Sequence, residues 1–182
     1  TGEANVVIVG AAGAGKTVAM AHLASLAANS KVQMEAGRDA VPFFYHIADL
    51  QIPFDASKDP LTVVINAAAE RAPVFDLRRL PEFVKQSFLT GTALLLVDGF
   101  DEVDPQTQSD AAAWFKALGE AYPRARIVTT GTPSQLHGLV GLGFHPLALM
   151  AWDGRTTSKF IQQWGEAWTR ILPPTDAAPD PL

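Results

Sequence analysis

One short stretch near the start of the chain, Gly10-Ala-Ala-Gly-Ala-Gly15-Lys16-Thr17, constrains fold and chemistry more than any other. It fits G-x-x-x-x-G-K-[ST] at every fixed position, after the apolar run Asn5-Val-Val-Ile-Val9 and before a helical pattern from Lys16 to about Asn29. Small residues let the backbone wrap a polyphosphate, so that consecutive N–H groups and the helix N-terminus face the anion. A random chain of this length matches the pattern with probability on the order of 1%. The expected phosphate-binding set is Gly10, Ala11, Ala12, Gly13, Ala14, Gly15, Lys16, Thr17 and Val18. Within it Lys16 reaches the β- and γ-phosphates and the Thr17 hydroxyl completes a Mg²⁺ site.

Such a loop needs an acidic partner at the end of a neighbouring strand, to hold Mg²⁺ and polarise the attacking water. Ala93-Leu-Leu-Leu-Val-Asp98-Gly-Phe-Asp101-Glu102-Val supplies it. Asp98 ends an apolar strand, where a carboxylate emerges at the carboxyl edge of the sheet. Gly99 is expected to leave room beside the metal, and Asp101 and Glu102 add two carboxylates one turn further on. Asp104 reads as the cap of the following helix.

The rest of the chain alternates strands with helices. Strands are expected at 42–47, 93–97, 126–130 and 144–149 besides the first. Helices are expected from about Pro60, with Leu61, Val64, Ile65 and Ala68 on one face, and at 80–89, 106–122 and 156–172. Several strands are apolar on both faces, the pattern of a parallel sheet covered by helices on each side. Residues 139–144, punctuated by glycines, read as a mobile loop near the site, and Thr156-Thr157 as a helix N-cap. Phe160, Trp164 and Trp168 form a stripe at helical spacing, read as core or a contact with further domains. His22, His46, His137 and His145 lack metal-ligand spacing and are assigned ordinary packing or surface roles, and Arg78-Arg79 a solvated helix edge.

At the acidic strand the sequence resembles a family. Four apolar residues, Asp, a small residue, an apolar residue and then Asp-Glu is the Walker B form of NACHT domains, in the STAND class of P-loop signal-transduction NTPases. Val41-Pro-Phe-Phe-Tyr-His-Ile-Ala-Asp-Leu50 is similar to the family's second strand, Arg126-Ile-Val-Thr-Thr130-Gly-Thr-Pro133 to its sensor strand, and 147–164 to the segment entering the helical lid. The resemblance implies a three-layer α/β sandwich with a five-stranded, mainly parallel sheet in the order 5-1-4-3-2. It further implies a core over 1–172, of which 155–172 begins the lid, followed by a Pro-rich linker at 173–182. It implies ATP or ADP with Mg²⁺ as cofactors, Asp98 and Thr17 at the metal, and Asp101, Glu102, Lys16 and Thr130 in catalysis, with Thr130 sensing the γ-phosphate and one of Asp101 and Glu102 activating water. The implied function is a slowly hydrolysing regulatory ATPase whose nucleotide state controls self-association, in a longer protein with helical lid, winged-helix and sensor domains. One departure stands out: Gly131 replaces the Arg usual between the Ser/Thr and Pro of the sensor motif, which removes a cation from the phosphate site. A small-molecule phosphotransferase and a non-hydrolysing nucleotide-binding scaffold are the alternatives.

Composition limits the remaining readings. Of 182 residues 48% are hydrophobic and 18% charged, against about 25% charged in an average globular chain, so disorder is excluded. The net charge of −5 gives no sign of direct nucleic-acid binding. With no cysteine, thiol chemistry, disulfides and Cys-based zinc sites are absent. Apolar stretches fall short of the ~20 residues of a membrane helix, no signal peptide is recognisable, and a cytoplasmic location is expected. A first residue of Thr suggests a piece excised from a longer chain.

Overall fold

The computed structural model describes residues 5–34 and 37–171. It divides into two compact units, Thr1–Leu149 and Met150–Leu182. The first holds five strands, β1 (Val6–Val9), β2 (Val41–His46), β3 (Ala93–Asp98), β4 (Arg126–Gly131) and β5 (His145–Ala148), and five helices, α1 (Lys16–Ala28), α2 (Thr62–Arg71), α3 (Leu80–Thr90), α4 (Pro105–Ala121) and α5 (Leu136–Gly141). The strands form one sheet in the order β2-β3-β4-β1-β5, the expected order read from the other edge. Every pairing is parallel, so "mainly parallel" becomes wholly parallel.

Alternation along the central strands builds two hydrophobic layers. Val7 and Val9 of β1 and Leu95 and Val97 of β3 face one side, where they pack with Val64 of α2, Val84 and Phe88 of α3, and Trp114, Phe115 and Leu118 of α4. Ile8, Leu94, Leu96 and Val128 face the other, against Met20 and Ala27 of α1. Period-two side-chain geometry thus turns continuous apolar runs into two buried faces. All six residues of β3 are buried. The two strands containing proline, Pro42 in β2 and Pro146 in β5, lie at the two edges, where a missing N–H is tolerated.

Two expectations change. Residues 139–144 are not a loop at the site: α5 runs through Gly141, and Leu139 and Phe144 are buried in the core. The segment then joins the opposite end of the sheet, where His145 N–H donates to the Asn5 carbonyl at 2.8 Å. Glycine spacing suggested flexibility, but two buried apolar anchors hold this short helix down.

The second unit carries α6 (Gly154–Ile171). Its N-terminus is capped by Asp153 and not by Thr156-Thr157: the Thr156 N–H donates to Asp153 Oδ1 at 2.7 Å. Acceptance from the Thr156 hydroxyl and N–H keeps the Asp153 carboxyl below its ordinary pKa. Along α6 the rings of Trp164 and Trp168 stack at 5.0 Å. The Pro-rich stretch 173–182 lies outside the described residues. Among the described residues no helix is long and apolar enough to cross a membrane.

Candidate nucleotide site

Because all strands run parallel, the carboxyl ends of β1, β2, β3 and β4 share one edge of the sheet, and the predicted chemistry gathers there. The loop after β1 begins with Gly10, whose N–H donates to the Gly131 carbonyl at the end of β4 at 3.2 Å. A Cβ on Gly10 would stand 3.0 Å from that of Ala14, tighter than ordinary contact, so a side chain there would push the two turns of the loop apart. Gly13 and Gly15 adopt φ of +75° and +92°, left-handed values that disfavour side chains. Gly15 is the N-cap of α1; no side chain caps the helix and no acidic residue stands in its first turn. The first N–H groups of a helix have no partner within it, so this end is left with donors and a positive dipole for an anion. Ala11, Ala12, Gly13, Ala14, Thr17 and Val18 are exposed around it.

Lys16 is only 8% exposed. Its ammonium donates to the carbonyls of Gly10 at 3.0 Å and Ala11 at 3.2 Å and pairs with Asp101 Oδ2 at 3.1 Å. An ammonium has three donors, and all three are satisfied. Asp101 therefore stands where Lys16 is expected to meet phosphate. Its other oxygen, Oδ1, is buried without a hydrogen-bond partner.

Asp98, at the end of β3, is 4% exposed. Thr130 on β4 is fully buried; its hydroxyl donates to Asp98 Oδ1 at 3.0 Å and accepts the Gly99 N–H at 2.9 Å. The hydroxyl's single proton is therefore committed to Asp98, and Thr130 fixes the carboxylate from behind. Gly131 has its own surroundings: a Cβ there would lie 3.3 Å from Val7 Cγ2, so a side chain at 131 heads into the packed layer around β1.

Glu102 is exposed, and its Oε2 lies 3.3 Å from His46 Nε2. His46 ends β2, in register with Asp98, and its Nδ1 accepts the Ala48 N–H at 3.2 Å. Gly99, with φ of +79°, lies directly under this ring: a Cβ there would come within 2.1 Å of His46 Nε2. Gly99 thus makes room for the imidazole, whereas the sequence suggested room for a metal. His46 belongs to the site that sequence reasoning left it out of; the available signal was its position at the end of a predicted strand. Asp104 caps α4 as expected, accepting from the N–H groups of Gln106 and Thr107.

The donor set fits Mg²⁺. Lys16 pairs with Asp101, and Asp98 and Glu102 add two more carboxylates at the same sheet edge, so a polyphosphate entering there meets excess negative charge, which a divalent cation offsets. The donors are hard oxygens, and the orphaned Asp101 Oδ1 is a buried acceptor without a proton to accept. No cluster of three or more His, Asp or Glu forms an all-protein cage among the described residues.

No curated protein sequence is similar enough to the chain to count as a relative. The family model of the NACHT domain matches residues 4–166, a span that contains the Lys16 loop, the Asp98 strand, the acidic turn and Thr130. A nucleotide-binding P-loop core with these parts, matched over most of its length, belongs to the NACHT family of NTPases.

Proposed function

We propose that the chain is the ATP-switched core of a STAND-type signalling protein, which binds ATP or ADP with Mg²⁺, hydrolyses ATP slowly and changes its self-association with nucleotide state. The observation that supports this best is the closed Lys16–Asp101 pair inside the phosphate loop. In this reading phosphate displaces Asp101 from Lys16, and a switch needs such a difference in contacts between states.

In this reading Lys16 and the N–H groups of the loop and α1 bind the β- and γ-phosphates. Thr17 and Asp98 would hold Mg²⁺, which when bound would neutralise phosphate charge. Thr130 keeps Asp98 oriented, so the γ-phosphate is sensed through Asp98 and not by the hydroxyl directly. Glu102 is the water-activating base in this reading, since its side chain reaches solvent at the acidic edge whereas that of Asp101 is buried. The water oxygen bonds to the γ-phosphorus, the bond to the β–γ bridging oxygen breaks, and the water's proton passes to the Glu102 carboxylate before leaving with inorganic phosphate. The helix α6 begins the lid, and self-association, a cytoplasmic setting and sensor domains follow from the same reading.

Nucleotide titration and phosphate release test it. Lys16→Ala weakens ATP binding by at least about tenfold, Asp98→Ala removes the Mg²⁺ dependence of binding, and Glu102→Gln slows phosphate release by about 10²-fold or more while ATP still binds. Unchanged ATP affinity in Lys16→Ala refutes the phosphate site. Release that requires an added hydroxyl acceptor identifies a phosphotransferase, and an association state identical in ATP and ADP refutes the switch.

A further inference from the structure

His46 stands at the acidic edge, and neither the loop motif nor the strand-end carboxylates account for it. Three observations fix its ring. The Ala48 N–H donates to Nδ1 at 3.2 Å, so Nδ1 carries a lone pair and the proton of the neutral ring sits on Nε2. Nε2 then lies 3.3 Å from Glu102 Oε2, with its N–H directed at a carboxylate. Beneath the ring, Gly99 leaves the space that any Cβ would close to 2.1 Å. Pairing of β2 with β3 brings His46 opposite Asp98, so the sheet delivers the imidazole to the same edge as the acidic turn.

We propose that His46 is the positioning residue for the water-activating carboxylate: it holds one oxygen of Glu102, fixing the rotamer from which the other faces the attacking water. A base oriented by a third group is a recurrent catalytic arrangement. Glu102 needs it because its side chain is 62% exposed and a free glutamate populates many rotamers, most of them turned away from the phosphate. His46 is suited to the task because both of its nitrogens are engaged, Nδ1 by the Ala48 N–H and Nε2 by Glu102, and its ring rests on Gly99. The proposal rests on Glu102 being the base in an ATP-hydrolysing site, and it assigns Gly99 a purpose as well, since the Asp98-Gly99 step is what admits the ring.

The test is a comparison of single-turnover ATP hydrolysis and ATP affinity in the purified protein and in His46→Ala, His46→Gln, Glu102→Gln and the double variant His46→Ala/Glu102→Gln. Expected for His46→Ala is a loss of about tenfold in kcat, the size typical of orienting partners, with ATP affinity unchanged. His46→Gln, whose amide N–H takes the place of Nε2–H, recovers most of the loss. In the Glu102→Gln background His46→Ala lowers kcat no further, because it acts through that carboxylate. A His46→Ala protein with normal kcat while Glu102→Gln is slowed overturns the role of His46 and leaves the base in place. So does a loss confined to ATP affinity, or an equal loss in the Glu102→Gln background. A Glu102→Gln protein with normal kcat, or an unsubstituted protein that binds ATP without releasing phosphate, overturns the parent reading and this one with it.

Discussion

Asp101→Asn separates the two claims made for this site, that Lys16 awaits phosphate and that Asp101 occupies its place. The pair sits at 3.1 Å with each side chain 9% exposed, an attraction of about 5 kcal/mol before desolvation at an effective dielectric near 20. Phosphate that takes over Lys16 regains most of this, so only the unmatched part opposes binding, together with repulsion from the carboxylate left behind. If about one quarter is unmatched, the opposition is ~1.4 kcal/mol, a factor of ten in Kd. Asparagine is close to isosteric and its amide oxygen can still accept from Lys16, so the loop keeps its shape while the competing charge is gone. Calorimetric titration with ADP in EDTA avoids both hydrolysis and Mg²⁺. Asp101→Asn is expected to bind about tenfold more tightly than the unsubstituted protein, and the gain shrinks with added salt less than a surface pair's does, because the pair is buried. With Mg²⁺ present the gain falls or reverses, since Asp101 then contributes to the acidic cluster. Equal or weaker ADP binding in EDTA would refute the idea that Asp101 occupies the phosphate position.

The other predictions concern the sensor strand and the acidic turn. Gly131→Arg, which supplies the residue usual in the family, is expected to lower the melting temperature without raising kcat, because its stem starts 3.3 Å from Val7 Cγ2; a faster enzyme of unchanged stability would contradict this. Asp104→Ala removes the cap of α4 and lowers the melting temperature at neutral pH. The hydroxyl of Thr107, then its N–H and that of Gln106, hold the Asp104 carboxyl below its ordinary pKa in the folded protein. A carboxyl lowered on folding stabilises above its unfolded pKa, near 3.9, and ceases to as pH falls through the lower folded value. Melting curves of Asp104→Ala and the unsubstituted protein therefore converge in acid, and a gap that stays constant to low pH would count against the cap.

How much of this was legible in advance depends on whether a feature is local. The phosphate loop was readable because its glycines meet steric demands of their own backbone, and Asp104 because a cap lies within three residues of the N–H groups it serves. Thr156-Thr157 were read as a cap on the same logic and lost to Asp153, whose carboxylate reaches the Thr156 N–H at 2.7 Å; near a helix start several polar residues compete, and sequence does not rank them. Gly99 was read as special for the wrong neighbour, since which group lies over a glycine is settled by another strand.

By itself the sequence determined the strand–loop–helix, the apolar strands of a sheet buried on both faces, and the charged groups available to the site. Only the tertiary structure decided which of those groups meet. Strands apolar on both faces carry no one-sided pattern to set their register, so nothing in the chain announces that His46 stands opposite Asp98. The pairing of Lys16 with Asp101, the commitment of the Thr130 hydroxyl to Asp98, and the hold of His46 on Glu102 all join residues from different strand ends. They exist because a parallel sheet brings those ends to one edge, where the buried groups, Lys16 with Asp101 and Thr130 with Asp98, must satisfy one another, while His46 and Glu102 meet at the exposed rim.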